Sequence, residues 1–267
     1  MSPVLRDISD ASPAPFTRRT RYILVVESSM QDLFTAAMLL QRFSYPVCTA
    51  RTARQALDMV AVAVPSLVIT DHDLHGMSGI DLLRVLGSNS RTFTVPLILL
   101  TPSGEADLEK EGVEIGGALV LQKPVTVEVL YRAVQSAMES TPRSNIRIST
   151  ALPVSVNKVV LDAGKGECAT HLSAQGMFIR TFKYYRPHET LSLHLTIGGE
   201  TIHVEGTILY ARRQDDGPFA APGIAVKFTT ITGEDRDRIR RFIHREVTRG
   251  IVIESQQSPG PAQETEA

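Results

Sequence analysis

The sequence predicts an α/β domain on a five-stranded parallel sheet, followed by a smaller, mainly-β domain that ends on a helix. Two patterns carry that prediction. Between residues 21 and 140 short apolar runs alternate with helix-periodic stretches, the mark of βαβ repetition and of a sheet covered by helices on both faces. Beyond residue 150 the hydrophobic period shortens to two, the period of half-buried antiparallel strands. A chain of 267 residues is long enough for two such cores.

In chain order, the first-half strands are ILVV at 23–26, PVCTA at 46–50, LVIT at 67–70, PLILL at 96–100 and ALVL at 118–121. Ser29 and Asp32 make a capping-box-like start to the first helix. The next helix presents Ala53, Ala56, Leu57 and Val60 on one face before Pro65 stops it. In the second half, LSLHLTIGGETIHVEG reads as two strands joined by Gly198-Gly199. A two-residue turn there pairs Leu195 with Ile202 and Leu193 with Val204 on one face, and His194 with His203 on the other. LPVSV, GMFIRTF, TILYARR and GIAVKF add further short strands, giving a small barrel or sandwich. Thr232-Gly233-Glu234-Asp235 then opens a helix whose Arg240, Arg241, Arg245 and Arg249 lie toward its end, as the helix dipole favours, on a solvated face.

A net charge of −1 argues against broad attraction to nucleic acid or acidic membrane, so recognition of a charged ligand must be local. No apolar run reaches the length of a membrane helix, and residues 1–20 lack the apolar core of a signal peptide, which predicts a cytoplasmic protein without membrane insertion. Residues 1–20 and 251–267 are expected to be disordered tails. Cys48 and Cys168 have no metal-ligand or redox spacing and read as reduced and incidental. His194 and His203 lack a third ligand and read as an exposed pair. No nucleophile triad, phosphate-binding loop or catalytic carboxylate pair appears, so no enzymatic turnover is expected.

Four first-half strands end in polar residues: Glu27, Asp71, Thr101 and Lys123. In an open parallel sheet these ends converge on one crevice. There Asp71 would be a phosphoacceptor, Thr101 a hydrogen-bond partner to phosphoryl oxygens and Lys123 the counter-charge. With Gly76-Met77-Ser78-Gly79 after Asp71, Pro96 to Thr101, and Lys123-Pro124, residues 21–140 resemble a response-regulator receiver domain, which implies a flavodoxin-like fold and the roles just given. The resemblance also implies Mg²⁺ held by Glu27, Asp71 and a second acid after the first strand, where this chain has Ser28. Losing that charge weakens the metal site and slows phosphoryl transfer from a histidine kinase. Asp73 is the nearest substitute carboxylate. His75 stands where the family has proline and Leu121 where it often has an aromatic switch residue. The expectation is a degenerate receiver that serves docking or homodimerisation.

In TPRSNIR, Arg143 and Arg147 lie four apart at the junction, and planar guanidinium forks suit phosphodiester oxygens and purine faces. HLSAQGMFI places His171, Ser173 and Gly176 just before a strand, Ser173 free to donate and Gly176 allowing close backbone approach. With RISTALPVSV and GIAVKFTTITGEDRDRIRRFI, residues 141–250 resemble the PilZ domain. The likeness implies binding of cyclic di-GMP through Arg143, Arg147, Ser173 and Gly176, with His171 where the family has Asp or Asn at the guanine edge. One such contact is worth about 1 to 3 kcal/mol, so its replacement weakens binding without abolishing it. The reading is a two-component signalling effector in motility or surface behaviour, acting through protein partners. The alternative is a nucleotide-blind scaffold; a DNA-binding output ranks third, since no helix-turn-helix pattern follows the first domain.

Overall fold

A computed structural model describes residues 22–104, 110, 114, 117–214 and 221–251; both expected tails, apart from Arg21's neighbour Tyr22 onward and Ile251, lie outside these residues. The first domain contains β1 (Ile23–Val26), α1 (Met30–Arg42), β2 (Val47–Ala50), α2 (Ala53–Val62), β3 (Leu67–Asp71), α3 (Gly79–Ser88), β4 (Leu97–Thr101), β5 (Leu119–Gln122) and α4 (Val127–Met138). Its five strands are parallel in the order β2-β1-β3-β4-β5. The order reverses between β1 and β3, which opens the crevice beyond their carboxyl ends.

The apolar runs work by alternation even though both faces are covered. Leu24, Val26, Val68 and Leu99 face the layer formed with α2 and α3, whereas Ile23, Val25, Ile69 and Ile98 face the layer formed with α1 and α4. Full burial holds for β1 and β3, but the edge strands β2 and β5 are largely half-buried or exposed, because each has a neighbour on one side only. Ser29 caps α1 by accepting from the Asp32 amide, while the Asp32 carboxylate lies 3.8 Å from Lys123 Nζ. On α2, Ala53, Ala56 and Val60 are buried and Leu57 is half-buried, and the helix ends at Val62. Helix α3 went unassigned in the sequence; its Ser78 cap is the signal for it, accepting from the Asp81 amide.

The second domain contains β6 (Ile148–Leu152), β7 (Val154–Val156), β8 (Val159–Val160), β9 (Cys168–Ser173), β10 (Gly176–Arg180), β11 (Thr190–Ile197), β12 (Glu200–Arg212), β13 (Gly223–Thr230) and α5 (Gly233–Thr248). These strands form one curled antiparallel half-barrel in the order β6-β9-β10-β13-β12-β11-β7-β8. The β11–β12 register pairs Leu195 with Ile202, Leu193 with Val204 and His194 with His203, as the hydrophobic alternation requires. Gly198 and Gly199 both take positive φ, the geometry of a two-residue turn. Two expectations change. TILYARR is not a separate strand but the continuation of β12, which absorbs the change of direction at irregularities near Gly206 and Ile208. His171 and Ser173, expected just before a strand, themselves lie inside β9, which precedes β10.

Thr232 caps α5, and Ile239, Ile243 and Val247 bury its inner face while Arg240, Arg241, Arg245 and Arg249 stay exposed. The two domains share one apolar cluster running from Leu40 and Tyr131 to Ile148 and Val247. Across that contact the Arg42 guanidinium donates to the Val247 and Arg249 carbonyls at the end of α5. Nearby, His244 Nδ1 lies 3.2 Å from Glu128 Oε1. The carbonyls left free at the end of a helix thus find their donor in the other domain.

Candidate functional site

The crevice gathers Glu27, Asp71, Thr101 and Lys123. The two carboxylates are buried, with Glu27 3% and Asp71 6% exposed. Lys123 Nζ lies 2.9 Å from Glu27 Oε2 and 3.0 Å from Asp71 Oδ1. Burial pushes the Glu27 carboxyl up, although the Ser29 amide and Lys123 both favour its charged form. Lys123 is the counterpart: burial alone would lower its pKa, but its bonds to Glu27 and Asp71 outweigh this and raise it. Among the described residues the buried Thr101 Oγ1 has no hydrogen-bond partner, so its hydroxyl is uncommitted. Gly79 has a second role beyond its place in α3: a Cβ there would sit 2.0 Å from the Asp71 carbonyl, so the loop can close over the acceptor only with glycine.

The residues present do not fit Mg²⁺. Ser28 Oγ donates to the Asp73 backbone carbonyl at 3.0 Å, so it braces the acceptor loop. The Asp73 carboxylate is 71% exposed and lies 3.8 Å from His72 Nε2, outside the Glu27, Asp71 and Lys123 group, so it does not replace the missing acid. Among the described residues no group of three acids, histidines or cysteines converges to hold a metal. His75 is exposed and Leu121 is half-buried against the core.

The second site is a groove of about 430 Å³ lined by Arg143, Arg147, Ser173, Gly176, Tyr210 and Lys227, among others. The sequence brings the first four together but not Tyr210 and Lys227: the alternation of GIAVKF marks Lys227 as facing away from the core, whereas TILYARR puts Tyr210 on the face of the buried Ile208, and only the irregularity between Ile208 and Tyr210 turns it outward. Neither arginine has a carboxylate within ion-pair distance among the described residues. Burial, then the charge of Arg143, depresses the Arg147 pKa, against opposing effects of Tyr210 and Tyr131, with Arg212 adding a smaller lowering. Arg212 stands over the rings of Phe178 and Tyr210, at 5.6 and 5.3 Å from their centroids.

Ser173 and Gly176 do a different job from the one expected. Ser173 Oγ donates to the Gly176 carbonyl at 3.1 Å and accepts from the Gln175 amide at 3.4 Å, so its proton is committed to the β9–β10 turn. A Cβ on Gly176 would lie 2.4 Å from the Val226 carbonyl, so its close approach is to β13 rather than to a ligand. His171, paired with Ser149 and Phe178, is not among the groove's lining residues. Burial lowers its pKa, and the charges of Arg147, Arg143 and Arg212 lower it further. Cys48 and Cys168 are free thiols. His194 and His203 lie with ring centroids 4.3 Å apart. Among the described residues no helix is long and apolar enough to cross a membrane.

Comparison with known proteins identifies both domains. The response regulator receiver domain family matches residues 23–135, and the PilZ domain family matches residues 141–245. The chain is 28% identical over 140 residues to the phosphate regulon transcriptional regulatory protein PhoB of Pseudomonas aeruginosa, covering 52% of this chain and 59% of that protein. It is 25% identical over 210 residues to the uncharacterized transcriptional regulatory protein YkoG of Bacillus subtilis, covering 74% and 91%. A third relative, the probable cyclic di-GMP phosphodiesterase of Vibrio cholerae, is 26% identical over 127 residues, covering 48% of this chain and 29% of that protein. Among solved structures, a response regulator receiver domain protein from Clostridium thermocellum shares 28% identity with a TM-score of 0.42, covering 44% of this chain and 94% of its own. The chain carries a response regulator receiver domain, residues 23–135, followed by a PilZ domain, residues 141–245.

Proposed function

We propose that the protein is a cyclic di-GMP-responsive effector whose PilZ groove takes the dinucleotide and whose receiver acts mainly through protein contacts. One observation carries the reading: two guanidinium groups, Arg143 and Arg147, line one groove without a carboxylate to neutralise them. An unpaired, half-buried cation is unfavourable until an anion arrives. A phosphodiester supplies that anion, its oxygens accepting from the two forks, and Tyr210 offers a face for a purine. Lys227 adds a third positive charge to the same wall.

His171 and the committed Ser173 proton make the base contacts poorer than the family's motif implies, and the expected affinity is micromolar. Those same two features favour the second reading, a nucleotide-blind scaffold. Calorimetric titration with cyclic di-GMP separates the two. Binding by the native protein that is lost in an Arg143→Ala/Arg147→Ala variant supports the sensor, and absence of heat at millimolar nucleotide leaves only the scaffold.

In the receiver, Asp71 is the acceptor, Thr101 meets the phosphoryl oxygens and Lys123 supplies the counter-charge. Without a third acid, transfer from a histidine kinase is slow, and the domain serves docking or homodimerisation. The protein acts in the cytoplasm on motility or surface behaviour, with no catalytic turnover of its own.

A further inference from the structure

The nine residues between Met138 at the end of α4 and Ile148 at the start of β6 have no regular secondary structure, yet they carry both arginines of the groove. Backbone donors in such a segment need partners elsewhere, and here the receiver provides them. The Arg143 amide donates to Gln135 Oε1 at 2.9 Å, and Gln135 Nε2 donates to the Tyr45 hydroxyl at 2.6 Å. Gln135 is only 3% exposed, so both ends of its amide are committed. One helical turn earlier, Tyr131 is 2% exposed. Burial raises its pKa, opposed by the Arg143 charge and by a hydrogen bond with the Arg147 backbone.

The spacing is the telling part. Tyr131 and Gln135 are i and i+4 on α4 and therefore share one face. Gln135 holds the backbone at Arg143, and Tyr131 lies where the charges of Arg143 and Arg147, also four apart, act on its hydroxyl. Because the helix grips backbone rather than side chains, both guanidinium groups remain available to the groove. The segment is also a wall with two sides: Ser144 and Asn145 line the groove and, behind it, a cavity of about 170 Å³ bordered by Glu128, Tyr131, Arg240 and His244.

We propose that Gln135, with Tyr131 on the same helix face, is a positioning residue for the arginines of the groove, so that receiver helix α4 supports from behind the segment that lines the PilZ ligand site. This rests on the nucleotide reading above. The coupling runs both ways: a ligand that pulls the segment toward the groove strains the Gln135 bond, and any shift of α4 moves the arginines.

The test uses the full chain and three variants. Gln135→Leu keeps the size and removes the acceptor, Gln135→Glu keeps the acceptor, and Tyr45→Phe loosens Gln135 from its far end. Two quantities are read: calorimetric affinity for cyclic di-GMP, and hydrogen exchange at the Arg143 amide without ligand. We expect Gln135→Leu to weaken binding about tenfold and Gln135→Glu to restore it, consistent with loss and return of one buried hydrogen bond. Exchange at Arg143 should be faster in Gln135→Leu and in Tyr45→Phe. Unchanged affinity in Gln135→Leu overturns the proposal, as does unchanged exchange at Arg143. If the native protein binds no nucleotide, the sensor reading fails by itself and exchange still decides whether the clamp exists. Should Gln135→Leu fail to fold, Tyr45→Phe carries both measurements, with a weakening of about threefold expected.

Discussion

Replacing Arg147 by methionine separates a ligand-binding arginine from a structural one, because the two roles predict opposite signs. Arg147 is half-buried, lies beside Arg143 and Arg212, and has no carboxylate partner among the described residues. Methionine retains the apolar stem and removes the charge. Relief from an unpaired charge should raise stability by about 0.5 to 1 kcal/mol, a rise in Tm of roughly 1 to 4 °C for a chain of this size. Loss of one charge-assisted contact, about 1.5 to 3 kcal/mol, should weaken cyclic di-GMP about 10- to 150-fold. Thermal unfolding and calorimetry on the same preparations read both numbers. A variant that is less stable but binds with native affinity would refute the reasoning, since it would make the guanidinium a packing element.

Three further outcomes follow from the geometry. The His171 pKa is depressed from 6.5 in the free protein, and a bound phosphodiester would relieve the repulsion; affinity should therefore rise as pH falls below about 6.5, and His171→Asn should flatten that profile in calorimetry. Lys123→Met leaves two buried carboxylates facing each other and should cost about 2 kcal/mol at pH 7, after discounting for the partial exposure of the ammonium. Because the Glu27 pKa is already raised, the deficit should be full at neutral pH and shrink on acidification, as denaturant melts at several pH values would show. Gly176→Ala should destabilise by about 1 to 3 kcal/mol in thermal unfolding, because its Cβ has no room against the Val226 carbonyl.

The meeting of Glu27, Asp71, Thr101 and Lys123 in one crevice was almost wholly legible in the sequence. Each strand of a parallel sheet ends on the same side, so a polar residue after each apolar run predicts a shared crevice without knowledge of distances. The β11–β12 register was legible for a similar reason, since a period of two admits one pairing that buries every apolar side chain. The nucleotide motif was legible as a group of residues but not as a set of roles. Ser173 and Gly176 are where their spacing puts them, yet Ser173 is taken up by its own β9–β10 turn, and what Gly176 touches depends on β13, about fifty residues further along the chain.

Local order in the chain thus determined the two architectures, the acceptor crevice and the pair of arginines, because periodicity and caps act over a few residues. Only the tertiary structure decided which groups satisfy the junction backbone, that Ser28 braces a loop, and that Tyr210 and Lys227 share a groove with the arginines. Those outcomes depend on partners separated by 8 residues at Arg143 and Gln135 and by 45 at Ser28 and Asp73. Hydrogen-bond satisfaction and charge burial at such separations are set by how whole layers pack, and no short pattern encodes them.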